Sequence, residues 1–442
     1  VSPPVSPSVR TPLLLALVLA LLIGLPPFLD LGLQNALVNV LIAGLFALAF
    51  NLLVGQAGLL SFGHAAYFGI GAFATLHLMR AVEDGLAFPT PLLPLAGAAA
   101  GLAVGAVAGF FATLRSGVYF ALVTLAIAEL FHSLAPHWEG LFGGEAGLSS
   151  MRMPWGGLIF GSTLEVYYLA LGWVTLSVWL LWAYTRTPFG RLTLALRDNE
   201  QRVRFLGYDA HATKVIVFAI SAMFSGVAGA LQAISNETAN YSLFSAHVSA
   251  GVVLNTFVGG STVFFGPALG AAAFTLFDHL VSDLTRSWQL YQGLIFVLVM
   301  LFAPGGIGGI VQHHLRHRRQ LDWSRLAGPY ALAGLGGALV AAGMVFMIES
   351  LSVLFGEGYA VLRRDAGGGH PPFEAFGAQW DPAGPLTWGL PLALFLAGLF
   401  LIARARRDIA ALWESVRSAP AGRPAGRGPE ASARSAPSGS PS

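Results

Sequence analysis

Residues 51–73 read NLLVGQAGLLSFGHAAYFGIGAF, and the reading of this stretch decides the fold. It is apolar enough to sit in a bilayer. Yet it carries Asn51, Gln56, Ser61 and His64, and glycine at 55, 58, 63, 69 and 71. A plain membrane anchor would be better served by leucine. Two readings are open. Small residues let helices approach closely in hydrocarbon, where packing is the main attraction between them. Alternatively, the helix breaks at Gly63, beside Ser61 and His64. Backbone loosened at membrane depth must then find partners in protein or water, and broken helices of that kind line solute cavities. His64 stands open in the same way, as a hydrogen-bonded packing residue or as a functional one.

The rest of the chain supplies the bilayer setting. Only 10% of the residues are charged, against about 25% in an ordinary soluble chain. The hydrophobic share is 55% and the mean hydropathy +0.68. Apolar runs long enough to cross a bilayer, about 20 residues each, recur throughout. They fall near 12–29, 34–54, 61–80, 91–114, 117–135, 166–184, 215–234, 247–262, 264–282, 288–303, 328–348 and 386–403, or about twelve crossings by length alone. The pair within 247–282 is equally readable as one broken or re-entrant unit. The expected fold is all-α and polytopic. It has about ten core transmembrane helices with broken, Gly-rich segments in two repeat-like halves, plus an added C-terminal helix pair. The short alternating segments of a transmembrane barrel are absent.

Charge placement orders the chain across the membrane. Arg186, Arg191, Arg197, Arg202, Arg204 and Lys214 cluster in one loop, 311–325 reads VQHHLRHRRQLDWSR, and RARRD follows residue 403. Starting with the N-terminus inside, the crossings above put all three segments inside, as the positive-inside rule asks. A multi-pass protein of a bacterial inner membrane with both termini cytoplasmic is therefore expected. The expected organisation is a polar lead at 1–11, a transmembrane core at 12–312 and a basic cytoplasmic linker at 313–327. An added helix pair at 328–403 encloses an outer loop at 349–385, and a largely disordered tail fills 404–442.

Several functional classes are excluded or unsupported. The chain has no cysteine, so disulfides and thiolate chemistry are out. It has no G-x-x-x-x-G-K-[ST] phosphate loop, no H-E-x-x-H and no G-x-S-x-G. No catalytic residue, metal site or cofactor is expected, and no nucleic-acid partner. His313, His314 and His317 read as a solvated basic linker before a metal cluster. Glu129, inside TLAIAELFHSL, is a buried carboxylate and so a functional candidate; a structural residue near a helix end fits equally. A second interrupted segment, VGGSTVFFGPALGAAAF at 258–274, echoes the first: Phe265-Gly266-Pro267-Ala268 beside Phe62-Gly63-His64-Ala65. Paired interruptions of this kind point to a transport site between repeats.

Residues 51–73 also resemble the signature of LivM-type permeases, the membrane subunits of branched-chain amino acid ABC transporters. That pattern runs N-L-x-x-G-x-x-G-x-x-S-x-G-H-A-x-F-x-G-I-G-A. Here Asn51, Leu52, Gly55, Gly58, Ser61, Gly63, His64, Ala65, Gly69, Ile70, Gly71 and Ala72 fit it. LRSGVYFALVTLAIAEL (114–130), the run 187–231, FVGGSTVFFGPALGA (257–271) and QGLIFVLVMLFAPGGIGGI (292–310) resemble further blocks of the family in order. The likeness spans about residues 30–312. Phe142-Gly143-Gly144 departs from the family's T-G-G, and Ser261-Thr262-Val263 from a more glycine-rich link. The helix pair at 328–403 has no counterpart in that pattern.

The resemblance implies a substrate pathway through Gln56, Ser61, Gly63, His64, Tyr119, Thr124, Glu129, Gly259 and Gly260. It implies an ATPase-coupling element carrying Arg191, Arg197, Asn199, Glu200, Arg202 and Gly207. It further implies a second, LivH-like permease subunit, two cytoplasmic ATP-binding subunits and an external solute-binding protein. The expected function is ATP-driven import of branched-chain or other apolar amino acids. Urea or short-chain amide import is the alternative within the class. A stand-alone secondary transporter or channel is the alternative outside it, and a structural membrane protein is a third class.

Overall fold

A computed structural model describes residues 10–303, 305–317, 323–366 and 369–418. Residues 1–9 of the expected lead at 1–11, part of the basic linker and the tail beyond 418 lie outside the described residues. The chain divides into two compact units, residues 1–315 and 316–442.

In the first unit, α1 (Arg10–Gly24) ends at a Pro26–Phe28 turn, and α2 spans Leu31–Asn51. The Gln34 amide donates to the carbonyls of Pro26 and Leu29 at 3.1 and 3.0 Å, which fixes this corner. A π-helical turn, Leu52–Ala57, extends α2. Then come α3 (Ala65–Glu83), α4 (Pro94–Ala112), α5 (Val118–Leu134) and the short α6 (Glu139–Phe142). The helix α7 (Thr163–Arg186) opens on a capping box in which Ser162 and Glu165 serve each other's backbone N–H groups. Two short helices, α8 (Pro188–Asp198) and α9 (Glu200–Phe205), precede the long α10 (Ala210–Asn236). Thr187, Asn199 and Asp209 cap these three in turn, each accepting from backbone N–H groups. The unit closes with α11 (Ala246–Gly259), α12 (Gly266–Val281), α13 (Trp288–Phe302) and α14 (Gly306–His317). One two-residue ladder pairs β1 (Leu148–Ser149) with β2 (Thr238–Ala239).

The second unit has α15 (Trp323–Leu354), α16 (Glu357–Asp365), a hairpin of β3 (Phe373–Ala375) and β4 (Ala378–Trp380), and α17 (Pro385–Ser418). Gly336 and Gly343 of α15 face Gly398 and Pro391 of α17, so the two long helices lie close against each other.

The architecture is all-α and polytopic, as the composition requires. The number of crossings differs from the sequence count. Among the described residues, eight helices are long and apolar enough to cross a membrane, and α13 with α14, bent by 43°, would make a ninth. The reduction from about twelve has local causes. The run 247–282 is divided into helices of 14 and 16 residues, because Gly260 takes a φ of +103° that no helix continues through. The first apolar run ends early at Gly24, before the Pro26-Pro27 pair.

The core is built on α2 and α10, the helices most enclosed by neighbours. A stripe at every fourth position of α4, Gly97, Gly101, Gly105 and Gly109, meets Gly226, Ala222 and Phe218 of α10. Gly71 of α3 reaches the same Gly226 backbone from another side. Three backbones therefore converge where no side chain has room. We predict that Gly226→Leu costs about 1–3 kcal/mol or more by overpacking, seen as a lowered thermal midpoint in detergent. Gly172→Ala, whose added methyl meets open space, should leave the midpoint unchanged.

Candidate functional site

The stretch 51–73 is not one kinked helix. It is the end of α2, a π turn, an irregular segment at 58–64 and the start of α3. Gly58 ends the π turn in the left-handed region at φ +70°, where glycine is favoured. The irregular segment leaves buried peptide groups without helical partners, and other helices supply them. Phe62 N donates to Thr124 Oγ1 of α5 at 3.1 Å. Ala65 N donates to Ser249 Oγ of α11 at 3.1 Å. The guanidinium of Arg197, on α8, donates to the Gly55 carbonyl. Gly63 lies so close to the Thr124 carbonyl that a Cβ would run into it.

His64 is fully buried and stands between Phe46, Phe50, Tyr67 and Phe218. Its Nε2 is 2.9 Å from Ser221 Oγ of α10, whose own hydroxyl donates to the Ala49 carbonyl. With that proton committed, Ser221 can only accept, so His64 Nε2 is the donor. His64 Nδ1 and Asn51 Oδ1 are buried without a hydrogen-bond partner. The histidine therefore ties the break to α2 and α10 at once.

The second interruption, 260–265, lies against the first. The Ser261 carbonyl packs on Gly55, and Ala268 on Gly44. Gly259 and Gly260 pack against the backbones of Gly266 and Gly305. Their role in this structure is close approach of backbone to backbone.

The remaining residues named from the sequence fall in other places. Ser61 is buried in the break and accepts from Gly63 N; Gln56 is half-buried on the π turn. Glu129 is not enclosed: its side chain is 45% exposed, 3.8 Å from His132, because α5 presents that face outward. Tyr119 is 71% exposed and does not reach His64. It lines a cavity of about 470 Å³ with Arg115, Glu200, Arg204, His211 and Lys214. Arg191, Arg202 and Gly207 are exposed on the α8–α9 segment, and Asn199 caps α9. Sequence reasoning missed Ser221 and Ser249. The only signal for either was a hydroxyl on an otherwise apolar helix.

Glu200 organises the α8–α9 segment. It accepts from the buried Lys214 at 2.6 Å and from Arg204 at 2.6 Å. Partial burial alone would raise its pKa, but the hydrogen bonds and positive charge of Lys214 and Arg204 outweigh that. The carboxyl is held below its ordinary value.

Apolar helices of spanning length around a braced backbone break define a polytopic membrane protein with a transporter's architecture. Residues 32–304 match the family described as branched-chain amino acid transport system / permease component. The chain is 30% identical over 291 residues to the high-affinity branched-chain amino acid transport system permease protein LivM of Salmonella typhimurium, covering 60% of this chain and 67% of that one. It is 31% identical over 287 residues to the LivM of Escherichia coli K12, with the same coverage. It is also 28% identical over 241 residues to the autoinducer 2 import system permease protein LsrC of Escherichia coli O9:H4, covering 49% and 66%. No solved structure matches the chain. The protein belongs to the family of branched-chain amino acid transport permease components, and is a transport subunit rather than an enzyme.

Two predictions follow from the geometry. Ser221→Ala strands the His64 N–H in a buried site, at a cost of about 1–3 kcal/mol, measurable as a lowered midpoint in detergent. The depressed Glu200 pKa means that its contribution is full above the ordinary carboxylate value and is lost as pH falls through the folded value. Hydrogen-exchange protection of 200–214 should therefore hold at neutral pH and fall in acid. Glu200→Gln should flatten that dependence.

Proposed function

We propose that this chain is the membrane-spanning permease subunit of an ATP-binding cassette importer for branched-chain or other apolar amino acids. In this reading ATP hydrolysis belongs to two partner subunits, a second LivH-like permease completes the pathway, and an external binding protein delivers the solute. The α8–α9 end faces the cytoplasm, as its arginines favour, and so do both termini. The supporting observation is the hydrogen bond from Arg197 to the Gly55 carbonyl. It joins a surface segment to the backbone break by a single side chain.

The α8–α9 surface suits a docking role. Phe205, Leu206 and Tyr208 are exposed beside Arg191 and Arg202. Exposed aromatics and arginine on one segment are the composition of a protein interface, and arginine pairs well with carboxylates on a partner. Closure of the ATPase dimer would move this segment as a rigid body. Arg197 then passes the displacement to residues 55–64, and Thr124 and Ser249 pass it on to α5 and α11. Residues 12–312 act as the permease core, with 313–327 a linker to the added helix pair at 328–403.

The test is leucine uptake into proteoliposomes holding the complete transporter, with and without internal ATP. Wild type should show ATP-dependent uptake, and Glu200→Arg should abolish it by breaking the Lys214–Arg204 cluster. Arg197→Ala should keep stimulated ATP hydrolysis while uptake falls about tenfold or more, about 1.4 kcal/mol of coupling. Uptake without any ATPase subunit would overturn the reading.

A further inference from the structure

A cavity of about 530 Å³ lies between α2, α10, α12 and α13, in the first unit. It is separate from the Tyr119 cavity and holds none of the residues singled out above as a pathway. Asn39 of α2 is about 16 residues from Gly55, or roughly 24 Å of helix, and Gln232 of α10 is about 33 Å along its helix from the α8–α9 segment. The cavity therefore lies toward the end of the first unit opposite that segment.

Its lining divides into two parts. One is polar: Asn39, Gln232, Thr275, Asp278, His279 and Ser282. The other is apolar and aromatic: Ile42, Phe46 and Phe68, with Phe46 and Phe68 ring centroids 4.8 Å apart. The carboxylate is the unusual group. It sits near the end of the apolar helix α12, and Gln292 Nε2 donates to its Oδ1 at 3.1 Å. Among the described residues no salt bridge includes Asp278, although the His247 imidazole acts on it electrostatically. A carboxylate placed in an apolar helix costs free energy and is a functional candidate for that reason. Its natural complement is a cation small enough to enter the cavity.

We infer that this cavity binds a zwitterionic apolar amino acid, with Asp278 taking the ammonium group and Ile42, Phe46 and Phe68 taking the side chain. The amide N–H groups of Asn39 and Gln232 and the Ser282 hydroxyl are the donors on hand for the solute's carboxylate. At about 30 Å³ per water, the volume takes a leucine-sized solute with a few waters. The apolar part selects the side chain by burial, and Asp278 selects against solutes lacking a positive charge. The floor also touches the break: Phe46 stacks on His64 with ring centroids 6.2 Å apart. A side chain seated on Phe46 therefore bears on the residue that Ser221 holds. This inference rests on the importer reading for its solute, but its site is distinct from the coupling segment.

The test uses the full chain in nanodiscs and radiolabelled leucine in a proximity binding assay. Competitors are 3-methylbutylamine, which keeps the ammonium, and 4-methylpentanoate, which keeps only the carboxylate. We expect saturable binding, competition by the amine and much weaker competition by the acid. Asp278→Asn should weaken leucine binding about tenfold or more. Asn39→Leu, a change at the exposed mouth, provides a second variant that leaves Asp278 in place and should also weaken it. The same variants are then assayed for ATP-dependent uptake in the complete transporter. Absence of uptake by wild type is failure of the importer reading. Normal wild-type uptake with leucine binding absent, or unchanged in both variants, or competed equally by amine and acid, overturns the cavity assignment alone.

Discussion

The structure depends on one constraint: peptide groups freed from a helix inside an apolar protein must be bonded there. Residues 58–64 leave the helix, and no water is at hand at membrane depth to take their hydrogen bonds. Thr124 of α5 and Ser249 of α11 accept from the Phe62 and Ala65 N–H groups, Arg197 of α8 donates to the Gly55 carbonyl of the adjoining π turn, and Ser221 of α10 holds the His64 side chain. Each unmet group would cost about 1–3 kcal/mol, so the four helices are positioned as much by the break as by their own packing. A break held in this way is also a place where four helices can be moved together.

Close backbone approach makes the arrangement possible. Gly226 lies against Gly97 and Gly71, and Gly55 against Ser261. Lipid offers leucine no advantage in contacting another helix over contacting a tail, so helices gain most where backbones touch. The two interruptions share this device. Gly58 and Gly260 both take positive φ values, Gly55 of the π turn meets the Ser261 carbonyl, and Gly44 of α2 meets Ala268 of α12. The two members of the short echo have different neighbours: Gly63 packs on the Thr124 backbone, and Gly266 on Gly259 and Gly260.

Charge acts mainly at one end of the first unit. Glu200, Lys214 and Arg204 form a compact cluster that ties α9 to the start of α10, while Arg197 ties α8 to the π turn. Lys214, the only lysine in the chain, is buried and neutralised there. A free ammonium in that position would be costly, and the paired carboxylate removes most of that cost. Among the described residues Asp278 has no lysine or arginine in a salt bridge, and Gln292 donates to it instead.

The sequence by itself determined the class and the punctuation. Composition and run length make an all-α polytopic protein, Gly63 and Gly260 mark interruptions, and the caps at Thr187, Asn199 and Asp209 mark where α8, α9 and α10 begin. These are local effects of hydropathy, φ preference and side-chain reach, so adjacent residues suffice to read them. The count of spanning helices was less legible, because hydropathy locates an apolar run but not the length of helix that forms within it. Partnership was decided by tertiary structure alone. Nothing near residue 64 announces Ser221, 157 positions away, and nothing in TLAIAELFHSL reveals that Glu129 faces outward. Hydrogen bonds between helices depend on which faces meet, and that is set by packing over the whole bundle rather than by any one segment.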